Sequence, residues 1–120
     1  MSTVMVVDDV KEVLALTAEI LSLAGYTVVS YSNPFEAVGF LRSGADIDLV
    51  LTDLEMPGMS GVEFYQLGED LCPRWVVMTA APNSDPAKKA RALGLPILPK
   101  PFKSIGYLRS YVAQELAKGT

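Results

Sequence analysis

The sequence has no histidine and a single cysteine, Cys72. A zinc site made of Cys and His ligands needs several such side chains, and a Ser-His or Cys-His nucleophile pair needs a histidine. Both kinds of site are therefore excluded. One cysteine also cannot form a disulfide within the chain. A chain without disulfides is typical of a reducing compartment or of a protein whose folding does not depend on redox conditions. We expect Cys72 to be a small apolar side chain near a turn.

Long apolar runs and an excess of positive charge are also missing. No stretch approaches the roughly 20 apolar residues that a membrane span needs. The N-terminus lacks a basic segment followed by an apolar core, so we expect no signal peptide and a cytoplasmic protein. The formal net charge is −4, which argues against direct binding of nucleic acid, because the nucleic acid backbone is itself anionic.

The pattern of hydrophobic residues predicts one α/β domain over residues 1–120. Short apolar runs alternate with segments of helical periodicity. Five such βα units in a row indicate a doubly wound, five-stranded parallel sheet with helices on both faces. The predicted strands are 4–7, 27–31, 47–52, 75–78 and 97–98, and the predicted helices are 10–24, 34–42, 60–71, 84–93 and 104–118.

Polar side chains follow four of the five predicted strands. In a doubly wound sheet the binding crevice lies beyond the carboxyl ends of the strands, so these side chains should converge. Taken singly, each has an ordinary structural explanation; Asp9 and Glu12, for example, fit a helix capping box. The converging residues are Asp8 and Asp9 after the first strand, Asp53 after the third, Thr79 after the fourth and Lys100 after the fifth.

A cluster of three carboxylates with a hydroxyl and an ammonium suits phosphoryl transfer. Neighbouring carboxylates repel by ~4 kcal/mol per pair at about 4 Å and an effective dielectric near 20. A hard divalent cation such as Mg²⁺ relieves that repulsion. The cation and Lys100 can neutralise phosphoryl oxygens, Thr79 can donate a hydrogen bond, and one carboxylate can attack phosphorus.

Two motifs carry a family resemblance: Asp53 to Gly61, which reads DLEMPGMSG, and Lys100-Pro101-Phe102. With Asp8-Asp9 and Met78-Thr79-Ala80, they resemble, in order and spacing, the receiver domain of two-component response regulators. The resemblance covers nearly the whole chain. It implies a flavodoxin-like (βα)5 fold and a phosphoacceptor domain that does not turn over a free substrate. The implied partners are a histidine kinase or histidine phosphotransfer protein and a downstream effector, with the domain a monomer or weak homodimer.

The resemblance also implies the metal site. Asp9 would bind Mg²⁺ directly, together with Asp53 and the backbone carbonyl of Glu55, and Asp8 would act through water. Asp53 would be the residue that accepts the phosphoryl group.

The remaining implied roles concern the phosphoryl group. Thr79 would be the switch hydroxyl, and the small Ala80 beside it would leave the acceptor accessible. Lys100 would pair with the phosphoryl group, and the Lys100-Pro101 bond would be cis.

One region departs from the usual receiver pattern. Many receivers have Tyr or Phe three residues before the lysine, where this chain has Ile97. The segment 94–100 is also one residue shorter and contains two prolines, which is similar to receivers attached to hybrid sensor kinases. We therefore expect phosphorylation chemistry without the usual movement of an aromatic ring.

Three alternatives share some of these features. A haloacid-dehalogenase-like, Mg²⁺-dependent phosphatase would place its nucleophilic Asp on the first strand and usually a second Asp two residues later. In this chain the candidate nucleophile Asp53 follows the third predicted strand, and the residue two positions later is Glu55. An FMN-binding protein of this architecture would need a phosphate loop after the first strand, where Asp8 and Asp9 would repel the phosphate. A pseudo-receiver that serves only for interaction would not need the full set of polar residues.

Overall fold

Five strands and five helices alternate over residues 2–118, the part of the chain that the computed structural model describes. The ends of the predicted domain, residues 1, 119 and 120, lie outside the described residues. The strands are β1 (Thr3–Val7), β2 (Thr27–Tyr31), β3 (Leu49–Asp53), β4 (Trp75–Thr79) and β5 (Ile97–Pro99). The helices are α1 (Lys11–Leu23), α2 (Pro34–Arg42), α3 (Gly61–Gly68), α4 (Asp85–Ala92) and α5 (Ile105–Ala117).

The strands form one parallel sheet in the order β2-β1-β3-β4-β5. This order confirms the predicted doubly wound α/β fold. It also places β1 directly beside β3, with β4 and β5 following on the same side. The carboxyl ends of β1, β3, β4 and β5 therefore border one edge of the sheet.

Alternation along the strands divides the core into two layers. Met5, Val50 and Val77 face α2, α3 and α4, whereas Val6, Leu51 and Met78 face α1 and α5. Successive side chains of a strand point to opposite faces, so a sheet covered on both sides needs continuous apolar strands. Every residue of β3 and β4 is buried, and this burial holds the strand ends in place.

Several helix starts follow the sequence signals. Ser60 and Glu63 form the predicted capping box at the start of α3, and the Asn33 side chain accepts a hydrogen bond from the Phe35 backbone N–H before α2. The Asp9–Glu12 capping box does not form. Instead Val10 is the N-cap residue of α1, and Asp8 Oδ1 accepts a hydrogen bond from the Val10 N–H at 2.9 Å.

Two element boundaries differ from the predictions by more than one residue. β3 begins at Leu49 rather than at residue 47, because its pairing with β1 starts at Leu49 opposite Val4. α3 ends at Gly68 rather than at residue 71, because the chain turns there, with a hydrogen bond from the Leu71 N–H to the Gly68 carbonyl, before it enters β4.

Cys72 lies just beyond that turn as a buried free thiol, 3% exposed, in the layer that faces α2, α3 and α4. Its burial near a turn confirms the expectation for this residue. Within residues 2–118, no helix combines the length and the apolar character needed to cross a membrane.

Candidate functional site

The edge formed by the strand ends collects the five polar residues singled out in the sequence. Asp8 and Asp9 follow β1, and Asp53 ends the adjacent β3. One carboxylate oxygen from each of these three residues lies within 4.8 Å of the others. Thr79 ends β4, and Lys100 follows β5. The predicted convergence is therefore present in the structure.

Lys100 provides the positive charge of this cluster. Its Nζ lies 3.2 Å from Asp8 Oδ2 and 3.3 Å from Asp53 Oδ1. The Lys100 backbone N–H also donates to the Thr79 carbonyl at 2.8 Å, which ties the start of the β5–α5 loop to the end of β4. Burial alone would lower the pKa of Lys100, but the charges of Asp53 and Asp8 outweigh that effect and raise it. Lys100 therefore stays an ammonium.

Asp53 lies at the centre of the cluster and is 7% exposed. Burial raises the pKa of its carboxyl to about 6, the charge of Asp8 acts in the same direction, and Lys100 opposes both. The Leu54 backbone N–H donates to Asp53 Oδ1 at 3.0 Å. Since the pKa remains below 7, Asp53 is mainly an ionised carboxylate at neutral pH, held in one orientation by Leu54 and Lys100.

Three carboxylates with one neighbouring ammonium leave an excess of negative charge. Asp8 is fully buried and Asp9 is half-buried, so solvent screens this charge only partly. Closely spaced carboxylate oxygens are the ligands that Mg²⁺ prefers. The donor set therefore fits a hard divalent cation.

Thr79 is 2% exposed, and two hydrogen bonds orient its side chain. Its hydroxyl accepts from the Ala81 backbone N–H at 2.9 Å and donates to Glu55 Oε1 at 3.3 Å. The family resemblance implies a role only for the backbone carbonyl of Glu55, and the contact made by its side chain is not predicted by the sequence. No local signal predicts that contact, because Glu55 and Thr79 are 24 residues apart.

The loops around the site depend on two special backbone features. The Lys100-Pro101 bond is cis, as the family resemblance implies. A Cβ on Gly61 would lie 2.6 Å from the Asp53 carbonyl oxygen and 2.9 Å from Leu54 Cα. Only glycine therefore allows the start of α3 to approach the end of β3 so closely.

Ile97 stands where many receivers have an aromatic residue. It begins β5, pairs with Val77 of β4 and is half-buried against the layer that contains α3 and α4. No ring is available at this position to move between solvent and core.

Comparisons with known proteins agree with this geometry. The response regulator receiver domain family matches residues 4–112. Sporulation initiation phosphotransferase F of Bacillus subtilis is 30% identical over 104 residues, which cover 82% of each protein. Transcriptional regulatory protein CpxR of Escherichia coli is 31% identical over 107 residues, which cover 85% of this chain and 44% of CpxR. The chain thus spans less than half the length of that relative.

A solved structure extends the agreement to the fold. The receiver domain from the hybrid histidine kinase CckA has a TM-score of 0.80 and 25% sequence identity, covering 96% of this chain and 99% of that one. The family match, the fold and the acidic edge of the sheet lead to one conclusion: the chain belongs to the receiver domain family of two-component response regulators and is a phosphoacceptor signalling domain.

Proposed function

We propose that residues 1–120 form one receiver domain in which Asp53 accepts a phosphoryl group from a phosphohistidine. Because the chain has no histidine, the donor is a separate histidine kinase, a histidine phosphotransfer protein or another domain. The observation that carries the proposal is the position of the Asp53 carboxylate. It is only 7% exposed, clusters with Asp8 and Asp9, and lies 3.3 Å from the Lys100 ammonium.

Asp8, Asp9, Asp53 and the backbone carbonyl of Glu55 would hold Mg²⁺, with Asp8 acting through water. When bound, the cation would offset the repulsion among the carboxylates and neutralise charge on the phosphoryl oxygens. The buried position of Asp8 supports this assignment, because its charge has few other partners among the described residues: Lys100 and the Val10 N–H.

The transfer step uses the ionised Asp53 carboxylate as the nucleophile. One of its oxygens forms a bond to phosphorus while the bond between phosphorus and the donor imidazole nitrogen breaks, and the electron pair of that bond stays on the imidazole. The departing imidazole takes up a proton, the charge of the carboxylate is lost, and the phosphoryl group brings its own negatively charged oxygens to the site. Lys100, already beside Asp53, is close enough to pair with these oxygens, and Thr79 would turn to donate its hydroxyl hydrogen.

The resulting protein is a switch that gains and loses its own phosphoryl group, without turnover of a free substrate. The phosphatase alternative is disfavoured by the position of Asp53 on β3 and by the Glu55 side chain, which contacts Thr79. Asp8 and Asp9 after β1 disfavour the FMN alternative. We further propose that the domain acts in the cytoplasm as a monomer or weak homodimer and contacts a downstream effector, not nucleic acid.

The direct test is incubation with Mg²⁺ and acetyl phosphate, followed by intact mass measurement and mapping of the modified residue. We expect a gain of one phosphoryl group on Asp53 and none in Asp53→Asn. Unchanged labelling of Asp53→Asn, or labelling at another residue, would overturn the assignment.

A further inference from the structure

The hydroxyl group of Thr79 has a single hydrogen, and the structure directs it towards Glu55. Thr79 Oγ1 lies 3.3 Å from Glu55 Oε1, and the same oxygen accepts a hydrogen bond from the Ala81 N–H at 2.9 Å. A hydroxyl is one donor. It therefore cannot make a full hydrogen bond to Glu55 and to a phosphoryl oxygen on Asp53 at the same time.

Glu55 loses little hydration when its carboxylate accepts the hydrogen bond from Thr79. The Glu55 side chain is exposed while Thr79 is 2% exposed, so the carboxylate keeps much of its hydration while it accepts the hydrogen bond. An ionised acceptor strengthens such a bond, whereas the distance of 3.3 Å is at the long end of the usual range. The contact therefore contributes a moderate preference for the arrangement seen here.

We propose that Glu55 is a positioning residue that holds the Thr79 hydroxyl away from the phosphoryl site and thereby opposes the phosphorylated state. This inference rests on the proposed function, because it assumes a phosphoryl group on Asp53. Formation of the phosphorylated arrangement breaks the Thr79–Glu55 hydrogen bond, and the free energy of that bond sets part of the balance between the two states.

Removal of the Glu55 carboxylate should favour the phosphorylated arrangement. A hydrogen bond of this kind corresponds to about a three- to tenfold change in an equilibrium constant. A purely electrostatic account predicts the same direction, because Glu55 is an anion near an anionic phosphoryl group. The two accounts differ in one respect: only the positioning role requires the Thr79 hydroxyl.

A double-mutant cycle separates the two accounts. The probe is beryllofluoride, a non-hydrolysable mimic of the phosphoryl group, titrated with Mg²⁺ present and followed by calorimetry. The proteins are wild type, Glu55→Ala, Thr79→Val and the double variant. We expect Glu55→Ala to bind beryllofluoride about three- to tenfold more tightly in the Thr79 background and with little change in the Thr79→Val background. An equal gain in both backgrounds, or no gain in the first, would overturn the proposal.

Two conservative variants test the same role. Glu55→Gln removes the charge but keeps a carbonyl acceptor, so it should give a smaller gain than Glu55→Ala. Thr79→Ser keeps the hydroxyl, so adding Glu55→Ala to this variant should increase the affinity for beryllofluoride as much as it does in the protein with Thr79. A Thr79→Ser protein that behaves like Thr79→Val would contradict the role of the hydroxyl.

A second measurement needs neither metal nor phosphoryl mimic. In the unmodified protein, NMR three-bond couplings of the Thr79 methyl group report its χ1 rotamer. We expect one dominant rotamer in wild type and a smaller population of that rotamer in Glu55→Ala, in which only the Ala81 N–H still binds the Thr79 oxygen. An unchanged single rotamer in Glu55→Ala would show that Glu55 does not hold the side chain.

Acetyl phosphate labelling of the same proteins separates this inference from the proposed function. Labelling of wild-type Asp53 with a null result in the cycle overturns only the role of Glu55. Failure of wild type to take up the phosphoryl group or beryllofluoride overturns both.

Discussion

Lys100 Nζ lies 3.3 Å from Asp53 Oδ1 although the two residues belong to strand ends that are not neighbours, since β4 separates β3 from β5. The lysine reaches across the end of β4 and also contacts Asp8 at 3.2 Å. Before any phosphoryl group arrives, this ammonium is the counter-ion of two carboxylates that we assign to the metal site. A lysine with that position should influence metal binding and phosphorylation in opposite directions.

Lys100→Ala should bind Mg²⁺ at least as tightly as wild type, because a cation that repels the metal is removed. It should respond less to phosphorylation, because the ammonium that pairs with the phosphoryl group is missing. Calorimetry measures the first effect, and amide exchange of the phosphorylated protein measures the second. The exposed Lys103 provides the matched control as Lys103→Ala. A severalfold loss of Mg²⁺ affinity in Lys100→Ala would contradict the assignment.

Asp9→Ala should weaken Mg²⁺ binding more than Glu55→Ala. The Asp9 carboxylate is part of the oxygen cluster, whereas the Glu55 side chain contacts Thr79 and would contribute only its backbone carbonyl to the metal. Calorimetric titration of the unphosphorylated variants compares the two affinities. Equal losses would mean that the Glu55 side chain is itself a ligand.

Gly61→Ala should destabilise the protein by ~1–3 kcal/mol, because its Cβ would overlap the backbone of β3 at 2.6 Å from the Asp53 carbonyl oxygen. Gly39→Ala is the control: a Cβ on this α2 residue would have no other atom within 4 Å beyond its own helical turn, and the change should stabilise the helix by up to about 1 kcal/mol. Urea unfolding measures both free energies. Similar effects from the two substitutions would show that the β3–α3 contact is looser than described.

Cys72 should make the stability of the protein depend on pH in the alkaline range. Burial raises the pKa of its thiol from 9.0 to about 11, so the folded state disfavours the thiolate that the unfolded chain forms readily. The stabilisation is complete below about pH 9 and is lost as the pH rises towards 11. Urea unfolding should therefore show that the advantage of wild type over Cys72→Ala shrinks between about pH 8 and about pH 11. A constant difference over that range would contradict the prediction.

Ile97→Ala should lower stability but leave the response to phosphorylation nearly intact. Ile97 is only half-buried, so we expect a loss below the ~2–5 kcal/mol that is typical of a fully buried isoleucine. Its β-branched side chain has few χ1 choices, and the change on phosphorylation should centre on Thr79 and residues 80–85. Amide exchange with and without acetyl phosphate tests this. A folded variant that is labelled on Asp53 but shows no change in residues 80–85 would contradict it.

Local sequence patterns determined most of the architecture. Short apolar runs predicted the five strands, of which β3 and β4 are buried throughout, and the capping box at Ser60 predicted the start of α3, because backbone preference and burial act over a few neighbouring residues. The strand ends then identified Asp8, Asp9, Asp53, Thr79 and Lys100 as one group, since parallel strands bring their carboxyl ends to the same edge.

Tertiary structure alone decided how those side chains pair. Asp8 and Lys100 are 92 residues apart, and Glu55 and Thr79 are 24 apart. The direction of a long, flexible side chain depends on charges and hydrogen-bond partners that come from distant strands. The local sequence pattern does not predict these partners. The sequence therefore determined which groups lie at the edge of the sheet, while packing decided that Lys100 pairs with Asp8 and Asp53 and that Glu55 accepts the hydrogen bond of the Thr79 hydroxyl.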